Sequence, residues 1–494
     1  MAVLYAVLSL AAITTLYPFL MMVSTGFKGP TDQDDNRIIP SFWTDDQELV
    51  EKYIDDKYAG DLSLISFSSA GADASADTVA KYDQLLLDLP PDLWLAGFRN
   101  APNHITGRLT MRWQGWLREE YDGDIDALNS DYNEINGAFQ TIAVPNELLE
   151  RKGWRPSQDR KWEDWLRFKG SLPSEFRIPI RTTRIFQEFL RSKYGAQIDL
   201  VPASIRGEAA QFEQIPWDAS SPEASEFEAE ALPERFRTTN AEMLWAQISK
   251  EPMPTRAFDL ATLNADRGQV RREMSSRNYR YVIDYIALHG GALWNTVIFC
   301  VLAVLTQLIV NPLAAYALSR FPMKATARIL IFLLATMAFP AEVAMIPAFL
   351  LLKNMGLLNT FAALVLPTAA NGYMIFLLKG FFDSLPREVF ESGQIDGASE
   401  SRMMLRLALP LSKPVLGYMA LLAFMGAYGA FLHAFLVAQD REIWTLMVFI
   451  YQLQQIAPKS VMMAAVALAA IPSVLVFLAA QRVIMRGIVL PGER

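Results

Sequence analysis

The chain has 494 residues, a formal net charge of −8, 52% hydrophobic residues, one cysteine and three histidines. That length allows several domains, whereas a single thiol excludes a disulfide framework. The histidines (His104, His289, His433) show no HExxH or Cys-His spacing and no Gly-Lys pair exists, so neither a zinc site nor ATP hydrolysis by the usual phosphate-loop route is expected.

In chain order, residues 2–26 carry no charge and are long enough for a bilayer, which takes about 20 apolar residues. Residues 27–290 differ sharply: 31 Lys/Arg face 44 Asp/Glu, a net of −13, and nine of the eleven tryptophans lie there. The rest carries 14 against 9, a net of +5, and −13 plus +5 gives the overall −8. A membrane part interrupted by an acidic soluble part is the reading. Further apolar runs cover 293–318, 329–352, 361–382, 415–438 and 461–485, which makes six spans. Lipid offers the backbone no hydrogen-bond partner, so each is expected to be a helix. Pro18, Pro312, Pro340, Pro347, Pro367 and Pro472 are then kinks within a packed bundle.

The 27–290 stretch resembles itself weakly. Tyr53-Ile54 through Tyr58-Ala59-Gly60-Asp61-Leu62 is similar to Trp116-Leu117 through Tyr121-Asp122-Gly123-Asp124-Ile125, 63 residues on. Phe189-Leu190 through Tyr194-Gly195 repeats the theme after 73, an offset that also carries Phe139 and Ile142 onto Phe212 and Ile215. Runs 162–168 and 244–248 are a further candidate pair. Two to three stacked units with aromatic-faced helices are expected, giving a mainly helical or α+β domain. Core packing is the first role for those aromatics and sugar stacking the second. With Cys300 placed in a span, the domain must hold itself by its own core.

Charge sets the orientation. Arg320, Lys324 and Arg328 follow the second span, Arg387, Arg402, Arg406 and Lys413 follow the fourth, and Arg482, Arg486 and Arg494 follow the sixth. The alternate loops hold Lys353, Arg441 and Lys459. The first group is therefore cytoplasmic and residues 27–290 extracytoplasmic. Nothing basic precedes the first span, so Met1 reads as a late start or the downstream loops set topology. A cleaved signal peptide is the rival, against which stand the missing basic region and cleavage site.

Within the 383–413 loop, Leu385-Pro386 stops one helix and Pro386 suits the first turn of the next. Glu388 and Glu391 then sit where the helix dipole favours negative charge. Ser392, Gly393 and Ala398 are small enough to let another protein's surface approach the backbone, and Asp396-Gly397 signals the turn that ends the helix. From Glu391 to Pro410 the run keeps every spacing of Glu-Ala-Ala, three residues, Gly, nine residues, Ile, one residue, Leu-Pro, with Ser392 and Gly393 for the alanines and Leu407 for the isoleucine. It resembles the coupling loop of ABC importer permeases. Other runs are similar to the second permease subunit of maltose-type carbohydrate importers. They are Tyr17-Pro18-Phe19, Ser24-Thr25-Gly26-Phe27-Lys28, Trp294-Asn295-Thr296, Ala314-Ala315-Tyr316-Ala317-Leu318-Ser319-Arg320-Phe321, Phe339-Pro340, Ile346-Pro347, Gly356-Leu357-Leu358-Asn359-Thr360, Gly380-Phe381-Phe382 and Gln481-Arg482. Ile395-Asp396-Gly397-Ala398-Ser399 has the form typical of that carbohydrate branch.

The resemblance implies an α-helical polytopic protein of the bacterial cytoplasmic membrane, with six transmembrane helices. Its parts are helix 1 (1–26), an extracytoplasmic domain (27–290) and a permease core (291–494). It also implies a transport subunit rather than an enzyme, with no cofactor of its own. ATP and Mg act on a separate ABC ATPase dimer, and a second homologous permease and a solute-binding protein complete the complex, with no nucleic-acid partner. The residues carried over to ATPase coupling are Glu391, Ser392, Gly393, Ile395, Asp396, Gly397, Leu409 and Pro410. Tyr428, Phe431 and His433 are candidates for the translocation path, although Tyr428-Gly429-Ala430-Phe431 departs from the family's Trp-Asn-x-Phe run. His433 could equally make an interhelical hydrogen bond. The 27–290 stretch, about 260 residues where the family has some tens, is the larger departure. The alternatives are a membrane-anchored carbohydrate-binding or hydrolytic domain on a permease scaffold, and an importer of a non-sugar solute.

Overall fold

The computed structural model describes residues 1–65, 74–99, 105–288, 291–321, 323–337 and 340–487; His104, His289, Phe339 and Arg494 lie outside them. The chain is mostly helical and divides into two compact units. One is Met1–Asn278 with Ala457–Val461, and the other is Tyr279–Ile456 with the chain from Met462 on.

In the first unit, the charge-free run forms the helix Ala2–Gly26, which buries nothing over most of its length, as a lipid-facing helix would. The acidic stretch folds around aromatic side chains. Trp94, Trp113, Trp165, Tyr53, Phe98, Phe176 and Phe186 are all fully buried, so core packing is their role. A two-stranded antiparallel sheet, Trp94–Ala96 on Arg177–Pro179, is the β content among the described residues.

One local arrangement recurs at an offset of 73. From the helix Arg108–Glu120, Gln114 Nε2 donates to the carbonyls of Gln140 (3.0 Å) and Ile142 (3.1 Å). From the helix Thr182–Lys193, Gln187 Nε2 donates to those of Glu213 (3.0 Å) and Ile215 (2.8 Å). Arg118 lies over Phe139 as Arg191 lies over Phe212, at 5.9 and 5.5 Å. Left-handed residues follow each aromatic-bearing helix: Ala59-Gly60, Asp122-Gly123 and Gly195-Ala196. The sequence likeness near these helices thus reflects a shared way of ending a helix and latching the next turn.

The two ends of the acidic stretch close on each other through buried polar groups. Asp259 accepts from Lys57 and from Tyr58 (2.6 Å), and Asp56 pairs with Arg277 at 2.7 Å. Asn278 Nδ2 donates to the carbonyls of Gly26 and Lys28 (3.0 and 2.6 Å), which ties the exit of the first helix to the helix Arg267–Val282. Burial lowers the pKa of Lys52, opposed by the neighbouring Asp32 carboxylate.

In the second unit the helix Ala292–Arg320 is central and packs against Gly372–Asp383 and Lys413–Tyr428. Among the described residues, three helices are individually long and apolar enough for a membrane: Val3–Gly26, Ala292–Arg320 and Lys459–Gln481. Two bent pairs, Phe361–Thr368 with Gly372–Asp383 (51°) and Glu400–Leu411 with Lys413–Tyr428 (82°), raise the number to five. The run expected to form the third span instead gives two shorter helices, Thr326–Met337 and Ala341–Asn354, with Pro340 at the N-cap of the second. Pro367 lies in the short 3-10 turn between halves of the fourth, whereas Pro18, Pro312, Pro347 and Pro472 stay inside helices. Hydropathy marks where lipid faces the chain, not where the backbone breaks, which is why six continuous runs become fewer continuous helices.

Candidate coupling site

Leu385-Pro386 ends one helix and the helix Arg387–Ile395 begins, with Pro386 at its N-cap rather than in its first turn and Glu388 in the first turn. Its C-terminus closes as the Asp396-Gly397 pair requires. Gly397 takes φ +72°, its N–H donates to Gln394 O (3.0 Å), and Ala398 N–H donates to Gly393 O (2.9 Å). These crossed bonds satisfy the last carbonyls of the helix, and only glycine adopts that backbone without strain. Ser399 precedes the short helix Glu400–Met403, a π-turn spans Met404–Ala408, and Pro410 lies in the first turn of Leu409–Leu411. Buried Ser412 donates to Ala408 O at 2.8 Å, just before the helix Lys413–Tyr428.

One face of this loop is packed. Phe390, Met403, Met404 and Ala408 join Tyr316, Leu378, Phe382 and Met419 in a single apolar cluster. Arg320 lies over the Phe390 ring at 3.5 Å and donates to Phe382 O at 3.0 Å. Tyr316 donates to Glu400 Oε2 at 3.0 Å, and Ser319 to Asp383 Oδ1 at 2.7 Å. A planar guanidinium stacked on a ring and bonded to a carbonyl fixes its neighbour's orientation better than an ammonium would. The end of Ala292–Arg320 is thereby tied to the short helix Arg387–Ile395.

The other face is open. Glu391, Ser392, Gln394 and Asp396 are exposed, and Ile395 and Leu405 stand 86% and 63% exposed. Gly393 corrects the expectation of a surface open to a partner. A Cβ there would lie 3.3 Å from Leu407 Cδ1 and 3.4 Å from Met403 Sδ, so its smallness serves the loop's own packing. Half-buried Ala398 and Leu409 likewise pack against the cluster.

Among the described residues, the three path candidates each have different partners. Tyr428 is buried and donates to Ala469 O at 2.6 Å. Phe431 packs on Phe435 and Tyr451 (ring centroids 5.7 and 5.0 Å), and His433 Nε2 lies 3.1 Å from Ala363 O. Sequence reasoning missed Phe390 and Glu400, and had Tyr316 and Arg320 in a family-like run and Arg320 as a topogenic charge, without their contacts to this loop. The signal available was a run of aromatic and basic residues at the end of one span, opposite a loop with an aromatic in it. Among the described residues no group of three or more His, Cys, Asp or Glu is arranged to hold a metal.

Residues 310–489, which contain this loop and its anchors, match the binding-protein-dependent transport system inner membrane component family. The trehalose/maltose transport system permease protein MalG of Thermococcus litoralis is 33% identical over 225 residues, 44% of this chain and 81% of the relative. The chain belongs to that permease family. Protein LplC of Bacillus subtilis is 36% identical over 177 residues, 35% of this chain and 58% of LplC. The diacetylchitobiose uptake system permease protein NgcG of Streptomyces coelicolor is 34% identical over 159 residues, 32% of this chain and 53% of NgcG. The chain thus spans little more than half of these two relatives. A solved bacterial ABC transporter involved in import of the acidic polysaccharide alginate aligns with 42% of this chain and 78% of that chain, at 25% identity and a TM-score of 0.38, too low to bear on the fold. In this matched region the face Glu391–Asp396 is exposed, while the Phe390 face packs against the ends of Ala292–Arg320 and Gly372–Asp383.

Proposed function

We propose that the chain is one of two permease subunits of an ATP-driven importer that takes up a carbohydrate handed over by a solute-binding protein. One observation carries the reading. A short, sharply capped helix between two apolar segments buries one face against the end of Ala292–Arg320 and leaves Ile395 exposed on the other. In this reading a protein partner covers that isoleucine, and the stacked Arg320 gives the partner a lever on a membrane helix. The ATPase dimer is that partner in this reading, and it supplies ATP and Mg chemistry this chain lacks.

The carbohydrate class is supported by relatives whose names specify trehalose/maltose and diacetylchitobiose, while others specify sn-glycerol-3-phosphate. In the same reading the membrane part has six crossings, the third and fourth each built from broken helices, and lies in the bacterial cytoplasmic membrane. Residues 27–290 face outward and dock the binding protein, since their net charge of −13 would steer a partner with a basic rim. Tyr428, Phe431 and His433 line or brace the path.

The test is uptake. The chain, co-expressed with a homologous permease, an ATPase and a binding protein encoded beside it, is reconstituted in proteoliposomes. ATP-dependent accumulation of maltose, diacetylchitobiose or oligogalacturonate is expected. ATP hydrolysis that no solute-loaded binding protein stimulates would remove the basis of the reading.

A further inference from the structure

We propose that Gln307, Asn311 and Asn371 form a hydroxyl-binding position inside the membrane part, where a polyhydroxylated solute is held during passage. The proposal rests on the permease reading and deepens it. Gln307 lies near the middle of the helix Ala292–Arg320 and Asn311 one turn further, so both amides share a face. Asn311 is fully buried and Gln307 is 7% exposed.

Asn371 sits where the apolar segment breaks between Phe361–Thr368 and Gly372–Asp383, which meet at 51°. Asn371 N–H donates to Asn311 Oδ1 at 2.8 Å, and Asn371 Oδ1 accepts from Met374 N–H at 3.1 Å. The break is held tightly, because a Cβ on Gly372 would lie 2.6 Å from Leu333 O. Asn311 Nδ2 donates to the Gln307 carbonyl at 2.9 Å.

One group is left over. Gln307 Oε1 is buried and, among the described residues, has no hydrogen-bond partner. An amide oxygen without a donor is costly to bury, and more so among apolar helices. What it lacks is an O–H or N–H donor, and sugars and polyols are dense in O–H groups. Asn371 is half-buried, so the cluster has an open side, and Tyr373, two residues on, is 38% exposed. Tyrosine offers a sugar ring both an apolar face and a hydroxyl. Broken helices in the membrane are also where freed backbone groups line a solute cavity.

The experiment uses the full reconstituted complex with radiolabelled maltose, diacetylchitobiose, oligogalacturonate and glycerol 3-phosphate. Wild-type uptake tests the importer reading independently of Gln307. A complex that carries only glycerol 3-phosphate refutes the carbohydrate class, and the site is then tested with that solute, which bears hydroxyls too. Gln307→Leu is expected to raise KM for the transported solute at least about tenfold. Gln307→Glu keeps an acceptor oxygen and is expected to restore KM to within about threefold. An unchanged KM in Gln307→Leu overturns the proposal. So does equal damage by both substitutions, or weaker association with the second permease at unchanged KM.

Discussion

Ile395→Glu separates the two faces of the coupling loop. The side chain is 86% exposed in this chain, so folding and insertion should change by no more than about 0.5 kcal/mol. If an ATPase groove covers it, docking buries most of an isoleucine, worth roughly 1.5–3 kcal/mol. A carboxylate in that groove loses this and adds desolvation. The expected loss is roughly 2 kcal/mol or more, about a thirtyfold weaker ATPase association. The assay is co-purification of the ATPase with the membrane complex, alongside solute-stimulated ATP hydrolysis in proteoliposomes. Wild-type levels of both, with normal amounts of inserted protein, would refute the docking argument.

Phe390→Ala removes a buried ring and the Arg320 stack, and should cost about 3–5 kcal/mol, read as lost inserted protein or a lower detergent unfolding midpoint. Arg320→Lys keeps the charge but not the stacked fork, so ATPase stimulation by loaded binding protein should fall while insertion stays normal. Cysteines at exposed Ser220 and Ser399 should separate by side: a membrane-impermeant reagent on spheroplasts modifies only the first, and the reverse pattern overturns the orientation. Gln187→Ala strips a donor from two carbonyls and should destabilise its latch by about 1–3 kcal/mol, seen as faster amide exchange over residues 212–215.

The coupling helix was legible in sequence because each of its signals is local: a stop at Leu385-Pro386, acid in the first turn, Asp396-Gly397 at the end. The facing of Gly393 was not, since smallness looks the same whether it admits a partner or a methionine ten residues along the chain. Met403 stands just before, and Leu407 within, a π-turn no periodicity announces. Where the spans break was hidden for a similar reason. Residues 329–352 read as one apolar run, yet the helices there end and restart around Pro340, and the tertiary packing that tolerates the break is invisible to hydropathy. The Gln114 and Gln187 latches were half-visible: their phenylalanine and isoleucine partners recur at 73, but the glutamine itself recurs as one polar residue among many.

The acidic domain argues for rigidity rather than for a tethered appendage. Its first and last segments are joined by Asp259 with Lys57 and Tyr58, by Asp56 with Arg277, and by Asn278 with the carbonyls that end the first helix. Breaking one such buried pair leaves an uncompensated charge, at a cost of about 3–5 kcal/mol, whereas a loosely attached module would need no such closure. A load on this domain therefore reaches Gly26 directly through Asn278. Removing residues between Pro40 and Arg267 keeps that tie, because Asn278 and its helix remain. If the domain docks the binding protein, this deletion should insert normally and lose the saturable dependence of uptake on binding-protein concentration. Uptake with an unaltered dependence would leave the domain without a docking role.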